Sequence, residues 1–421
     1  MSSMKKALGD LEIDTRLLGM IGALLLIWIL FDLVTGGRFL TPRNLFNLSV
    51  QTASVAVMAT GMVFVIVTRH IDLSVGSLLG VLGMMMGAAQ VHLLPQIVGD
   101  GHWSIWIVAT VIGIGLGAAI GAFQGWLIGY YAVPAFIVTL GGLLIWRGAA
   151  WWVTSGQTVA PLDPTFRLLG GGAEGTLGAT GSWVLGLLGA AAAVAVLIGA
   201  RRRKIAHGFR VKPLWAEVAL GGILCSVILG FVAVMNAYPV PKRAAERIYQ
   251  ARGLEIPEGG IEMAHGIAIP VVILLTVALV MTVIATRTRF GRYVFATGGN
   301  PDAAELSGVN TRLLTVKIFA LMGALTAIAS VIASARLGSA GNDLGTLDEL
   351  RVIAAAVIGG TALSGGIGTI YGAILGALVM QSLQSGMAMV GVDAPLQSIV
   401  VGVVLVVAVL IDILYRRRTG A

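Results

Sequence analysis

The 421-residue chain carries little charge for its length, and this shortage excludes most soluble folds. Charged residues make up 11% of the chain, against about a quarter in a typical soluble protein, and apolar residues make up 57%. A water-soluble fold of this composition would have too little polar surface to cover its outside. The mean hydropathy of +0.93 therefore indicates a protein that lies mostly in the lipid bilayer.

Residues that carry chemistry are also scarce. Cys225 is the single cysteine, which excludes an internal disulfide, and the five histidines lack metal-ligand spacing. The chain contains no Gly-Lys dipeptide and hence no P-loop, so we expect no ATP hydrolysis by this polypeptide. The net charge of +8 comes from short basic clusters between apolar runs, which are typical of membrane proteins and not of a nucleic-acid interface. We predict no catalytic residue, no metal site and no nucleic-acid partner.

Long apolar runs fill most of the chain. A helix needs about 20 apolar residues to cross the hydrocarbon core, and backbone groups in lipid must bond within their own segment. These rules predict an all-α polytopic membrane protein with about 10–12 transmembrane helices. The predicted spans are 17–35, 50–68, 73–91, 104–128, 134–153, 183–200, 214–235, 266–286, 313–333, 352–366, 368–390 and 395–414. The region 352–390 is ambiguous, because one span plus a re-entrant segment would also fit it.

The basic clusters predict an orientation. Arg201–Lys204, Arg287–Arg292 and Arg416–Arg418 fall on the same side of the membrane if the number of crossings is even. The positive-inside rule places that side, with both termini, in the cytoplasm. Residues 236–265 then form an external loop, which is interpreted as a solvated amphipathic surface helix or as a docking region for a partner.

Glycine is abundant, with 58 residues. It recurs at every fourth position from Gly113 to Gly129, and again at Gly368, Gly372 and Gly376. Residues four apart lie on nearly the same helix face, so these stripes predict helices that pack closely. Sliding of the same interfaces during a conformational cycle is a further hypothesis.

A short helix signal lies in the charged stretch 287–308. Asn300 followed by Pro301 is typical of a helix start, Asp302 and Glu305 favour its N-terminal end, and Gly308 favours a stop. A helix of about two turns would be marginal alone in water. The pattern therefore indicates either a docking surface for another protein or an ordinary structured loop.

Two further segments are candidates for function. Asp72 lies between two spans with almost no loop, where a carboxylate is costly unless paired, and Arg69 is its expected partner. The gating or helix-capping candidates are Asp72, Ser74, Gly76 and Ser77.

After Arg351, clustered glycines either pack helices or break one within the membrane, which would free backbone groups to line a cavity. The helix-break or pathway candidates are Ser364, Gly365, Gly366 and Gly368. Arg147, inside a span, is interpreted as an interfacial side chain or a pore residue.

These segments resemble the monosaccharide permease family of ATP-binding-cassette (ABC) importers, which handles ribose, arabinose, xylose and galactose. The matching pieces, in the family's order, are Phe39–Leu45, Ile71–Ser77, Val133–Gly142, Thr288–Asn310 and Glu349–Gly368. The additional residues around 155–265 resemble the xylose branch. The resemblance implies a vitamin B12-importer-like (type II) permease.

The resemblance also implies a domain organisation and partners. One transmembrane permease domain would cover 1–421, with N-terminal helices at 16–153, extra spans and external loops at 154–265, a cytoplasmic coupling loop at 287–312 and C-terminal helices at 313–421. The chain would form a homodimer in the inner membrane. It would work with a periplasmic sugar-binding protein and an ATPase with two fused cassettes. ATP and Mg would bind that ATPase, and this chain would bind no cofactor.

The implied activity is import of a monosaccharide, such as the pentose xylose, by alternating access. Coupling to the ATPase is expected at Gly298, Gly299, Asn300, Pro301, Ala303, Ala304, Glu305, Ser307 and Gly308. For a neutral sugar, we expect a pathway of small residues and hydroxyls in which charge is unnecessary. The alternative is an ion-coupled secondary sugar transporter. Neither the sugar nor the residues that touch it can be assigned from this pattern.

Overall fold

The computed structural model describes residues 15–419 except 210, 252, 254 and 258–260, and it describes side chains between residues 17 and 410. The side chains of Arg416–Arg418 therefore lie outside the described residues. The described chain consists of helices joined by loops, with a π-helical turn (Ala89–Leu93) between the third and fourth helices. The helices are α1 (Thr15–Val34), α2 (Pro42–Val67), α3 (Val75–Ala88), α4 (Leu94–Val98), α5 (Ile105–Tyr131), α6 (Ala135–Thr154), α7 (Pro164–Leu168), α8 (Gly178–Ala206), α9 (Leu214–Asn236), α10 (Lys242–Ala251), α11 (Ile269–Arg287), α12 (Arg289–Gly299), α13 (Pro301–Leu306), α14 (Thr311–Leu337), α15 (Asp348–Ile358), α16 (Ile370–Val390) and α17 (Ala394–Thr419).

Ten spans within the described residues are long and apolar enough to cross a membrane. They are α1, α2, α3 continued through α4, α5, α6, α8, α9, α11, α14 and α16. The apolar part of α17 with described side chains, Ala394–Leu410, is shorter. The expectation of an all-α polytopic membrane protein is confirmed.

The predicted span 352–366 is wrong. Helix α15 has only 11 residues, so it is about 16 Å long and too short to cross alone. It ends at Ile358, and the chain then turns through Gly360, Gly365 and Gly366, which all have positive φ. One full span, α16, follows. The alternative of one span plus a re-entrant segment does not describe this region either, because the chain after α15 does not return to the end where Asp348 lies and instead reaches Val67 and Gly298 at the far end of α2.

The glycine stripe of α5 packs against α14, as predicted. A Cβ atom on Gly117 or Gly121 would collide with the backbone carbonyl of Gly323 or Phe319, respectively. At the end of the stripe, a Cβ atom on Gly129 would approach the carbonyl oxygen of Arg312 to 2.7 Å. In the second stripe, Gly372 and Gly376 of α16 lie against the backbone of α15. Backbones approach closely along both interfaces because no side chain separates them.

Helix α2 lies at the centre of the bundle. Its buried residues form one core cluster with buried residues of α11, α14, α15 and α16. Helices α8 and α9 instead form a hairpin at the periphery, packed mainly on each other and on the start of α2. The loop 236–265 contains α10, whose Ala245 and Ile248 are buried while Lys242 and Arg243 are exposed. This confirms the amphipathic surface helix.

Candidate functional site

A polar cavity of about 620 Å³ opens at the end of the bundle where α2 begins. Its walls come from the first half of α2, the last turns of α14 and α16, the start of α17, α15, and the loop 338–347. All of these parts lie at one end of the molecule. Its polar lining residues are Gln51, Ser54, Thr158, Arg336, Ser339, Asp343, Thr346, Asp348, Arg351, Gln381, Gln384, Ser385 and Gln397.

Side-chain hydrogen bonds link the walls of this cavity. Gln381 Nε2 of α16 donates to Gln51 Oε1 of α2 at 2.9 Å. Arg351 Nη1 donates to Asp348 Oδ1 at 2.8 Å within α15, and both side chains are largely buried. From the sequence, we expected charged side chains to be unnecessary in the pathway. The cavity does contain charged side chains, and two of them, Arg351 and Asp348, form an ion pair in which the two charges neutralise each other.

Arg147 of α6 positions the loop that forms one wall. Its Nη1 donates to the carbonyl oxygens of Asn342 at 2.8 Å and Leu344 at 3.0 Å. From the sequence, Arg147 was interpreted as an interfacial side chain or a pore residue. Neither interpretation included this contact, because the loop lies 195 residues further along the chain. The guanidinium supplies several donors in a fixed plane, which suits two adjacent carbonyl groups.

The glycines of α3 allow the same loop to lie against that helix. A Cβ atom on Gly80 would approach Leu344 O to 2.8 Å, and one on Gly76 would collide with Gly345 O and with the carboxylate of Glu349. Glu349 is buried, and its Oε2 has no hydrogen-bond partner in the described structure. The structure thus gives Gly76 a packing role beside a buried carboxylate.

Asp72 caps a turn and does not pair with Arg69, so the expected ion pair is wrong. Asp72 is buried, and its Oδ1 accepts from the backbone N of Ser74 at 2.8 Å and from the Ser74 hydroxyl at 2.7 Å. Gln124 Nε2 of α5 donates to Ser74 Oγ at 3.1 Å. Ser77 Oγ donates to Ser74 O at 3.0 Å. These bonds satisfy polar groups in the extended segment before α3.

The segment 298–308 lies at the opposite end of the bundle. Asn300 Oδ1 accepts from Ala303 N at 3.0 Å, as expected for a helix N-cap, and α13 follows. Ala304 is buried, but Ala303, Glu305, Ser307 and Gly308 are exposed. Leu306 is 90% exposed, which is the highest exposure among the large hydrophobic side chains in the described part of the chain.

Arg69 ties this segment to the end of α2. Its Nε donates to Gly298 O at 3.0 Å and its Nη2 to Gly299 O at 2.9 Å. Gly366 N donates to Val67 O at 2.9 Å, and Gly365 approaches the carbonyl of Gly298. The helix-break candidates Gly365 and Gly366 therefore lie beside the segment 298–308, away from the cavity.

Helix α2 separates the two polar regions by about 18 Å, because Val67 at its far end lies twelve positions after Val55 at the cavity and each position adds about 1.5 Å. Helix α15 connects them a second time. It carries Asp348 and Arg351 at its cavity end, and the chain that leaves its other end reaches Val67 and Gly298. The cavity could not be predicted from patterns in the sequence, because the residues that line it come from distant parts of the chain.

Spanning helices around a polar cavity, with an exposed short helix at the far end, define a membrane transport protein. A family model described as "Branched-chain amino acid transport system / permease component" matches residues 44–167 and 165–409. The chain belongs to this family of transport permeases, whose model matches most of its length. It is therefore a multi-pass membrane protein with a permease role.

Curated relatives match almost the whole chain. The xylose transport system permease protein XylH of Escherichia coli (strain K12) is 36% identical over 411 residues, which are 97% of this chain and 94% of the relative. XylH of Haemophilus influenzae is 37% identical over 93% of this chain and 95% of its own. The ribose import permease protein RbsC of Escherichia coli (strain K12) is 33% identical over 89% of this chain and 87% of the relative. No solved structure matches the chain.

Proposed function

We propose that this chain is the membrane-spanning permease subunit of an ATP-driven ABC importer that carries a monosaccharide, xylose first among them, from periplasm to cytoplasm. The similarity to two xylose permeases and one ribose permease over nearly the full length supports a sugar as substrate. Xylose is preferred because the xylose permeases share more identity with the chain and match more of it than the ribose permease does.

One observation carries the link to ATP. The short helix α13 exposes Leu306 almost completely, and the segment that precedes it is hydrogen-bonded through Arg69 to the end of α2. A six-residue helix is too short to persist alone, so its position depends on these contacts and on whatever covers its outer face. We assign that face, residues 298–308, to contact with a separate ATPase subunit.

The remaining partners follow from this assignment. The complex would contain two copies of this chain, an ATPase with two fused cassettes that binds ATP and Mg, and a periplasmic sugar-binding protein. The end with 298–308 would lie in the cytoplasm together with both termini, because Arg287, Arg289 and Arg292 flank that segment. The cavity would then open toward the periplasm in this conformation.

Helix α15 supplies a physical route between the two ends. A movement of α13 driven by the ATPase would act on Arg69 and on Gly365, which both contact Gly298 or Gly299. The displacement would then pass along α15 to Asp348 and Arg351 at the cavity. In this mechanism Asp72 and Ser74 hold the start of α3 in place beside the moving segment.

The test is co-purification of the ATPase with the tagged chain from mildly solubilised membranes. Leu306→Glu, and separately the pair Gly299→Arg with Ala303→Glu, should lose the ATPase, because these side chains are exposed on the proposed contact face. Ile256→Glu is the matched control, since Ile256 is an exposed apolar residue (44%) in the loop at the other end. Its complex should be recovered in full.

Each variant must also elute as a single species in size-exclusion chromatography, so that loss of the ATPase cannot be ascribed to misfolding. Recovery of the ATPase with every variant would contradict the contact face. If the wild-type chain brings down no ATPase and moves sugar in vesicles with an ion gradient alone, the alternative of a secondary transporter is correct.

A further inference from the structure

The cavity at the start of α2 is lined mostly by polar side chains. We propose, on the basis of the function above, that it binds a neutral monosaccharide in transit, between the amide pair Gln51–Gln381 on one wall and the ion pair Asp348–Arg351 on another. The permease would then bind its substrate and take part in selecting it. The proposal rests on size, hydrogen-bonding capacity and charge.

The size of the cavity suits a sugar. Its volume of about 620 Å³ lies within the roughly 300–1,000 Å³ found for small-molecule sites. It is larger than a pentose requires, so water would share the space. A ligand that must leave again needs such room, because a closely fitted site would hold it.

The amide pair offers both donors and acceptors. The bond from Gln381 Nε2 to Gln51 Oε1 uses one N–H group and one lone pair. Each amide has two N–H donors and a carbonyl with two lone pairs, so most of this capacity is left for a ligand. Sugar hydroxyls donate and accept at the same atom, and neighbouring amides on α2 and α16 match that pattern.

The charges in the lining are balanced. Its charged residues are two arginines, Arg336 and Arg351, and two aspartates, Asp343 and Asp348. The bond between Arg351 and Asp348 uses one guanidinium N–H and one carboxylate lone pair, and it leaves further donors and acceptors for hydroxyls. A balanced site favours a neutral polar ligand, because an ionic ligand would leave a net charge inside the membrane.

The lining also indicates weak binding. None of the described lining residues is aromatic, and only a few are large aliphatic residues. Hydrogen bonds exchanged with water contribute little net free energy, so a site that relies on them releases its ligand readily. Low affinity is what a transport cycle with a separate delivery protein requires.

Protection from cysteine labelling tests the site on the full-length chain in lipid nanodiscs. Cys225→Ser gives a background without cysteine, because Cys225 is the only one. Ser385→Cys places a reporter in the cavity wall, and Thr346→Cys provides a second one should the first variant fail to fold. Thr165→Cys is the control, since Thr165 is exposed and lies outside the cavity lining.

D-xylose should slow labelling at position 385 or 346 with a saturable dependence and leave position 165 unchanged. At a concentration about ten times the dissociation constant, the rate should fall roughly elevenfold, because the unliganded fraction is one part in 1 + [L]/Kd. L-xylose should protect less, since the hydrogen-bond pattern is chiral. Adding Gln381→Leu should remove the protection, measured against the labelling rate of the same variant without sugar.

Two results would overturn the site. One is unchanged labelling at high D-xylose; the other is equal, non-saturable slowing by both enantiomers. Import by the complete complex with ATPase and binding protein is measured in parallel. Normal import without protection rejects only the binding site, and absence of import rejects the proposed function itself.

Discussion

The central helices and the α8–α9 hairpin have similar apolar compositions and very different surroundings. The mean hydropathy of the most apolar window is 2.0 in α2, 2.3 in α8 and 2.6 in α9. In α2, however, 89% of that window is buried in protein, against 11% in each helix of the hairpin. Hydropathy thus identifies spans but does not tell a core helix from one that faces lipid, because lipid is as apolar as the protein interior.

Small residues distinguish the two regions better. In the central bundle, Gly117, Gly121 and Gly125 of α5 face the backbone of α14, whereas in the hairpin Gly186 faces only the side chain of Val232 and Gly222 has nothing within 4 Å of an added Cβ. Backbone-to-backbone packing at glycine is therefore a feature of the α5–α14 interface and not of these hairpin positions. Four experiments test this comparison, in order of decreasing effect.

Gly121→Leu should have the largest effect. The side chain would collide with the carbonyl of Phe319, and the two backbones cannot separate without opening the α5–α14 interface. Overpacking costs about 1–3 kcal/mol or more, so the yield of folded chain in a fluorescence size-exclusion assay should collapse. Gly222→Leu in the hairpin should leave the yield unchanged. Equal yields for both variants would contradict the comparison.

Arg147→Ala should have the next largest effect. It removes the guanidinium Nη1 that donates to the carbonyls of both Asn342 and Leu344, a charge-assisted interaction worth about 1.5–3 kcal/mol. We expect faster proteolysis in the loop 338–347 and a reduced transport rate, with a smaller loss for Arg147→Lys. Proteolysis of the loop around α10 serves as an internal reference and should not change. If the loop resists proteolysis in Arg147→Ala, the contacts of Gly76 and Gly80 in α3 are sufficient to hold the loop in place.

Acid pH should loosen the connection between the hairpin and α2. His265, in the loop 237–268, stacks on Tyr238 and packs against Phe46, and burial lowers its pKa below the ordinary value of 6.5. The unfolded loop therefore binds more protons, so its stability falls as the pH drops through about 6.5 and below. Hydrogen exchange in residues 237–251 should rise at low pH in the wild type. His265→Phe should flatten this dependence; an unchanged slope would exclude His265 as its source.

Glu217→Gln should have the smallest effect. The carboxylate pairs with Arg201 at 2.8 Å at the end of the hairpin, where both side chains are partly exposed. Such pairs contribute about 0–1 kcal/mol, and Arg201 keeps a second bond to the carbonyl of Lys212. The thermal midpoint should move very little. A large decrease would mean that the hairpin contributes more to stability than its exposure indicates.

Some features were predictable because they depend on residues close together in the chain. The N-cap at Asn300, the packing stripe on α5 and the surface helix α10 each follow from a pattern that repeats within a few turns. The partner of Arg69 was predicted incorrectly for the opposite reason. Its hydrogen-bond acceptors, Gly298 and Gly299, lie 229 and 230 residues away, and the nearer Asp72 is already satisfied by Ser74.

The sequence by itself determined that this protein is an all-α membrane protein, because composition and run length decide which solvent a helix can tolerate. Only the tertiary structure decided where α15 ends, which carbonyl groups accept hydrogen bonds from Arg147, and that Gln51 and Gln381 are hydrogen-bonded to each other in the cavity wall. The physical reason is that buried polar groups must find partners wherever the fold brings them together. Distance along the chain carries no information about those partners.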